Sequence, residues 1–114
     1  MNTTNIFVFG SNLAGRHGKG AALYAKQNCG AIYGQGYGLQ GLSFAIPTKD
    51  TSLKPLSLNK IEHYINLFIK FAKENQQYTF NLTRIGCGLA GYTDNQIAPM
   101  FKNTPPNIIK PKNW

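Results

Sequence analysis

Two segments of this chain run from an apolar stretch through a glycine loop into a helix-forming stretch, and that repeated order limits the fold more than any other feature. In the first, residues 6–9 (Ile-Phe-Val-Phe) meet Gly10, a loop holds Gly10, Gly15, Gly18 and Gly20, and residues 21–27 continue as a helix. In the second, an apolar run beginning at Tyr78 leads into Arg84-Ile85-Gly86-Cys87-Gly88-Leu89-Ala90-Gly91-Tyr92, and Asp94-Asn95-Gln96-Ile97 reads as a helix start. A short continuous apolar run suits a strand buried on both faces, as in a parallel sheet. Glycines let backbone turn sharply and approach an anion, so that consecutive N–H groups and a helix N-terminus point at it. One such unit is also explained by a tight strand-to-helix turn. Two in one short chain are far rarer by chance. With parallel strands, both loops open at one sheet edge, where ligand sites of α/β folds form.

The rest of the chain fits the same plan. Residues 30–41 carry Gly30, Gly34, Gly36, Gly38 and Gly41 among aromatic and apolar residues and read as a glycine-rich loop. Residues 42–46 read as a strand stopped by Pro47, with Lys49 and Asp50 just beyond it. Leu58, Ile61, Ile65, Phe68 and Ala72 fall on one face at helical spacing, opposite Lys60, Glu62, Lys70, Lys73 and Glu74, and His63 lies on the polar side. Residues 78–85 form the next strand. Thr93 or Asp94 caps a helix reaching Met100, and residues 107–110 make a last edge strand between prolines. The order β-α-β-α-β-α-β predicts a single α/β domain over residues 1–114, with its core in 5–110: helices on both faces of a mixed, mostly parallel sheet.

Composition restricts the partners. Twelve Lys and Arg against four acids give a net charge of +8, which attracts anionic ligands. The cations are spread along the chain, without zinc-finger spacing or an aromatic nucleic-acid string, so a nucleic-acid partner is not favoured. No run approaches the roughly 18 apolar residues of a membrane span. The start, Met1-Asn2-Thr3-Thr4-Asn5, lacks a signal-peptide pattern, and Cys29 and Cys87 make neither a metal spacing nor a disulfide framework. A cytoplasmic protein with free thiols is expected, with no metal and no cofactor. Cys87 reads as a small wall residue of the second loop rather than a nucleophile.

Together these segments resemble a small macro domain, most similar to the branch containing the terminal ADP-ribose glycohydrolases. Arg84-Ile85-Gly86-Cys87-Gly88-Leu89 is similar to that branch's phosphate loop almost letter for letter. Phe44-Ala45-Ile46-Pro47-Thr48-Lys49 resembles the segment carrying its lysine, and Ser11-Asn12 with Gly18-Lys19-Gly20-Ala21-Ala22 resembles the first loop along the distal ribose. Gly34-Gln35-Gly36-Tyr37-Gly38-Leu39 resembles the middle loop. The similarity covers roughly residues 5–110, and it also implies a phage-encoded protein of this style. Two departures stand out. Ile6 already lies in the strand before the Asn loop, so the family's adenine-binding acid has no counterpart. The carboxylate of the glycohydrolases is replaced by Ala90.

The resemblance implies an ADP-ribose-type ligand, free or carried on a macromolecule. Its binding residues would be Gly10, Ser11, Asn12, Gly18, Gly20, Ala21, Gly86, Cys87, Gly88, Leu89, Ala90, Gly91 and Tyr92. Hydrolysis of an ADP-ribosyl bond, or of ADP-ribose-1″-phosphate, is the alternative. Lys49, Asp94 and His17 are its candidate catalytic residues. Lys49 could attack a ribose as an amine or meet a phosphate as a cation, and Ala90 favours the second. Asp94 could act as a base or cap a helix. His17, between glycines, could act as a general base or face solvent. Asp50 could pair with Lys49.

Overall fold

The computed structural model describes residues 3–114. The reading of the first two residues, Met1 and Asn2, lies outside the described residues. At the centre is β1 (Thr4–Asn12), paired in parallel with β3 (Ser43–Lys49) on one side and with β4 (Tyr78–Leu82) on the other. Outside β4 lies β5 (Ile108–Ile109), again parallel, and outside β3 lies β2 (Gly38–Gln40), antiparallel. The sheet is therefore mixed, in the order β2-β3-β1-β4-β5.

Side-chain alternation along β1 divides the interior in two. Ile6 and Val8 join the larger core with Phe44, Ile46, Phe80 and the buried stripe of α2 (Leu58–Glu74), namely Ile61, Ile65, Phe68, Ile69 and Ala72. Burying each of the larger side chains contributes about 1.5–3 kcal/mol. Phe7 and Phe9 point the other way, into a smaller core with Ala22, Ala25, Ala31 and Ala45, against α1 (Gly20–Asn28). The small residues of α1 let it sit close to the sheet. Among the described residues no helix is long and apolar enough to cross a membrane.

Several boundaries differ from the expected ones, each for a tertiary reason. The central strand extends to Asn12 rather than ending at Phe9, because β4 pairs with its first half and β3 with its second. Pro47 does not stop β3. The antiparallel neighbour β2 lies opposite only Ser43–Ala45, so no β2 ladder bond is lost where proline lacks its N–H. Residues 38–40, expected to be loop, form that neighbour. Beyond Leu82 the chain leaves the sheet, with Thr83 N–H and Oγ1 both donating to Val8 O at 3.1 and 2.8 Å. The last helix, α3 (Asp94–Ile97), has only four residues and then tightens into a 3-10 turn at Ala98–Phe101. Pro99 cannot donate the bond that would continue it.

The glycine-rich middle segment is a clamp on the first loop. A Cβ at Gly36 would lie 2.4 Å from Asn12 O, and one at Gly15 would lie 2.3 Å from the Gly34 carbonyl carbon. Only bare backbone permits these approaches. They are fastened by Gly34 N–H to Gly15 O at 2.8 Å and by the Ser11 hydroxyl donating to Gly36 O. Beneath them His17 is fully buried, edge-on to Phe9 with ring centroids 5.2 Å apart. Its Nε2 is 3.1 Å from Gln40 Oε1, which also accepts from Ile32 N–H at 2.8 Å. A carboxamide oxygen only accepts, so Nε2 carries the hydrogen. His17, expected either as a general base or facing solvent, is a buried residue that ties the first loop to β2.

Phe44 lies at the middle of the larger core. Its ring centroid is 5.0, 5.2 and 5.5 Å from those of Phe68, Phe71 and Tyr37. Phe44→Ala should cost about 3–5 kcal/mol in urea unfolding, the range for truncating a buried aromatic. A loss under about 1 kcal/mol would show that this cluster does not hold the domain together.

Candidate functional site

The C-terminal ends of β1, β3 and β4 lie at one edge of the sheet because the three strands are parallel. The loops that follow enclose a cleft of about 730 Å³, within the roughly 300–1,000 Å³ of small-molecule sites. Its wall brings together Gly10, Ser11, Asn12, Gly18, Gly20 and Ala21 from the first unit with Gly86, Gly88, Leu89 and Ala90 from the second, and Lys49 also lines it. Segments more than 60 residues apart in sequence thus share one site.

Lys49 reaches the edge through a register shift. Ser11 is opposite Pro47, but Asn12 is opposite Lys49, so Thr48 is an extra residue whose hydroxyl donates to Ser11 O at 3.3 Å. Leu13 N–H then bonds Lys49 O at 2.9 Å. Asp50 does not pair with Lys49. Its Oδ1 accepts from Ser52 and Lys54 N–H at 2.8 and 3.0 Å and holds the turn in which Leu53 takes φ 65°.

Backbone donors gather on both sides of the cleft. In the second loop, Cys87, Gly91 and Tyr92 donate to Arg84, Gly88 and Gly86 carbonyls, at 3.3, 3.0 and 2.9 Å. Among the described residues, the N–H groups of Gly88, Leu89 and Ala90 have no acceptor, and all three residues line the cleft. Across from them, α1 begins without a side-chain cap and without an acid in its first turn, and Gly20, Ala21 and Ala22 there line the cleft too. First-turn N–H groups have no partner within a helix. The four-residue α3 adds little dipole of its own, so in the second unit the loop rather than the helix supplies the donors.

Charge follows the same asymmetry. Arg16, Lys19, Lys49 and Arg84 line the cleft and, among the described residues, no acidic one does. Arg84 is paired: its Nε and Nη2 each donate to Asp94 at 2.9 Å, and Trp114 Nε1 donates to the same carboxylate at 2.9 Å. This is the one salt bridge among the described residues. The guanidinium, and then the indole, hold the Asp94 carboxyl below its ordinary range.

Other expected site residues fall elsewhere. Cys87, Gly91 and Tyr92 do not line the cleft. Cys87 and Tyr92 pack against the larger core, and the Tyr92 hydroxyl donates to Leu56 O. Burial raises the Cys87 thiol above its usual pKa, which suits a side chain packed on the core rather than a nucleophile. Asp94 and His17 are also outside the wall. The Asn12 amide, expected to meet a ribose, is used on Arg16: Oδ1 accepts its N–H and Nδ2 donates to its O, both at 3.0 Å. Arg16, Tyr33, Leu53 and Thr83 line the cleft without having been singled out. Comparison with protein-family models, with curated proteins and with solved structures found no match.

The Asp94 contacts predict a pH dependence. A carboxyl whose pKa is lowered by folding stabilises the native state above its unfolded-state pKa, and loses that contribution as pH falls through the folded value. Melting temperatures of the wild type and Asp94→Asn should therefore differ at pH 7 and converge as the pH drops below about 4, the unfolded carboxylate range. A gap that does not shrink at all as the pH falls from about 4 would assign the effect to something other than this charge.

Proposed function

We propose that this chain binds ADP-ribose or a related NAD-derived nucleotide in the cleft, free or attached to a macromolecule, as a macro-domain-like α/β/α sandwich. The observation that carries the reading is that two separate segments with free backbone N–H groups line one wall, which holds four cations and, among the described residues, no acid. Such a wall suits a diphosphate, which needs donors and positive charge from several directions. The similarity of Arg84–Leu89 to a phosphate loop, and a volume suited to a nucleotide, narrow the anion to this class.

The binding reading is preferred over hydrolysis because the cleft wall lacks a carboxylate. Ala90 lines it where the glycohydrolases have their acid, Asp50 is held in its turn, and Asp94 is engaged by Arg84 and Trp114. His17 is buried in its bond to Gln40. Lys49 therefore serves the ligand as a cation. Nucleic acid has a separate candidate surface, a hollow of about 450 Å³ whose wall includes Lys70, Lys73 and Lys102 and shares no residue with the cleft. A steep loss of affinity with salt would mark that partner.

Calorimetry with ADP-ribose tests the proposal. A Cβ at Gly88 meets nothing within 4 Å, and the residue has no left-handed φ, so Gly88→Glu should melt like the wild type. It puts bulk and negative charge at the free N–H groups, and affinity should fall by about tenfold or more. Unchanged affinity would remove the phosphate role of this loop.

Lys49→Ala separates binding from catalysis. It should weaken ADP-ribose binding by about tenfold, the scale of a hydrogen bond to a charged group. Incubation of the wild type with ADP-ribosylated protein, ADP-ribosylated nucleic acid and ADP-ribose-1″-phosphate should release no product. Rapid turnover abolished by Lys49→Ala, with folding preserved, would make the chain a hydrolase.

A further inference from the structure

The diphosphate accounts for the N–H groups and cations of the cleft and leaves Tyr33 unexplained. This residue lines the cleft and is 58 % exposed, a large aromatic surface held open beside a charged site. Its position is set by the clamp between loops. The next residue, Gly34, donates to Gly15 O at 2.8 Å, and the preceding one, Ile32, donates to the buried Gln40 Oε1 at 2.8 Å. The ring is therefore carried on anchored backbone on both sides. Lys26, from the last turn of α1 and outside the cleft wall, lies over the ring with Nζ 5.2 Å from its centroid. One face thus has a cationic contact from a residue outside the cleft wall, and Tyr33 is still 58 % exposed, which leaves surface for a flat group in the cleft.

We infer that Tyr33 is the platform for the nucleobase, and that the base is held by stacking rather than by recognition of its edge. The second half follows from the wall's composition. An exocyclic amine calls for an acceptor, most effectively a carboxylate, and no acidic residue lines the cleft. Stacking needs only a π face, which every base has, so it tolerates base identity. The site would then select the diphosphate and sugar strictly and the base loosely. This inference rests on the nucleotide reading above and specifies how the base end of the same ligand is bound.

Titration calorimetry on the wild type, Tyr33→Phe and Tyr33→Ala tests it, with ADP-ribose, its hypoxanthine analogue, AMP and ribose 5-phosphate as probes and melting temperatures as the folding control. Tyr33→Ala should lose about tenfold in affinity for ADP-ribose, within the range found when a base–aromatic stack is removed. Tyr33→Phe should bind like the wild type, and ribose 5-phosphate should bind all three proteins equally. The hypoxanthine analogue, which replaces the amine by a carbonyl, should bind the wild type within about threefold of ADP-ribose. Equal ADP-ribose affinity in wild type and Tyr33→Ala would overturn the platform, and a hypoxanthine analogue weaker by about tenfold or more would overturn the loose reading of the base. If the wild type binds AMP in a Tyr33-dependent way but not ADP-ribose, the ADP-ribose reading falls and the base platform stands. If it binds neither, both fall.

Discussion

Parallel pairing of β1 with both β3 and β4 is the constraint on which the rest depends. It aligns three strand ends at one edge, so that the loop after Asn12, Lys49 and the loop after Leu82 meet without direct bonding between the two glycine loops. It also requires β1 to be buried on both faces, which is why Ile6-Phe7-Val8-Phe9 is uninterrupted and why α1 and α2 both have a face to cover. A chain with these loops on an antiparallel meander would place them at opposite ends.

All twelve glycines lie in three segments, residues 10–20, 30–41 and 86–91, and they divide by what surrounds them. Gly15, Gly36 and Gly41 would each bring a Cβ within 3 Å of neighbouring backbone: the first two make the contact between the first and middle loops, and Gly41 lets the chain ahead of β3 pass Gly30. Gly18 and Gly88 would meet nothing. They hold the open rim of the cleft, where the missing side chain leaves room for something other than protein. Sequence alone does not separate these two groups, because both read simply as glycine in a loop.

The electrostatic character of the cleft arises from where the acids go rather than from where the bases go. Glu62 and Glu74 are on α2, Asp50 holds a turn, and Asp94 sits between Arg84 and Trp114. With the four acids placed elsewhere, Arg16, Lys19 and Lys49 line the cleft and, among the described residues, no carboxylate stands beside them on its wall. Arg84, which also lines the cleft, is held by its forked contact with Asp94.

The strand–glycine loop–helix order, the amphipathic stripe of α2 and the excess of positive charge were legible in the sequence, because each is written in neighbouring residues with a local period. Lys49 and most of the loop residues of the cleft were named through the resemblance to macro domains that these segments carry. What the sequence left open depends on residues far apart. Pro47 inside a strand is tolerated only because β2 ends before it, and β2 itself exists only as a partner for Ser43–Ala45. His17 looked like a loop histidine until Gln40 and Phe9 enclosed it, and Tyr92 looked like a ligand contact until its hydroxyl found Leu56. Tyr33 gave no local signal at all. Local sequence determined which segments become strands, loops and helices; long-range packing decided which polar and aromatic groups those segments consume internally and which they leave facing the cleft.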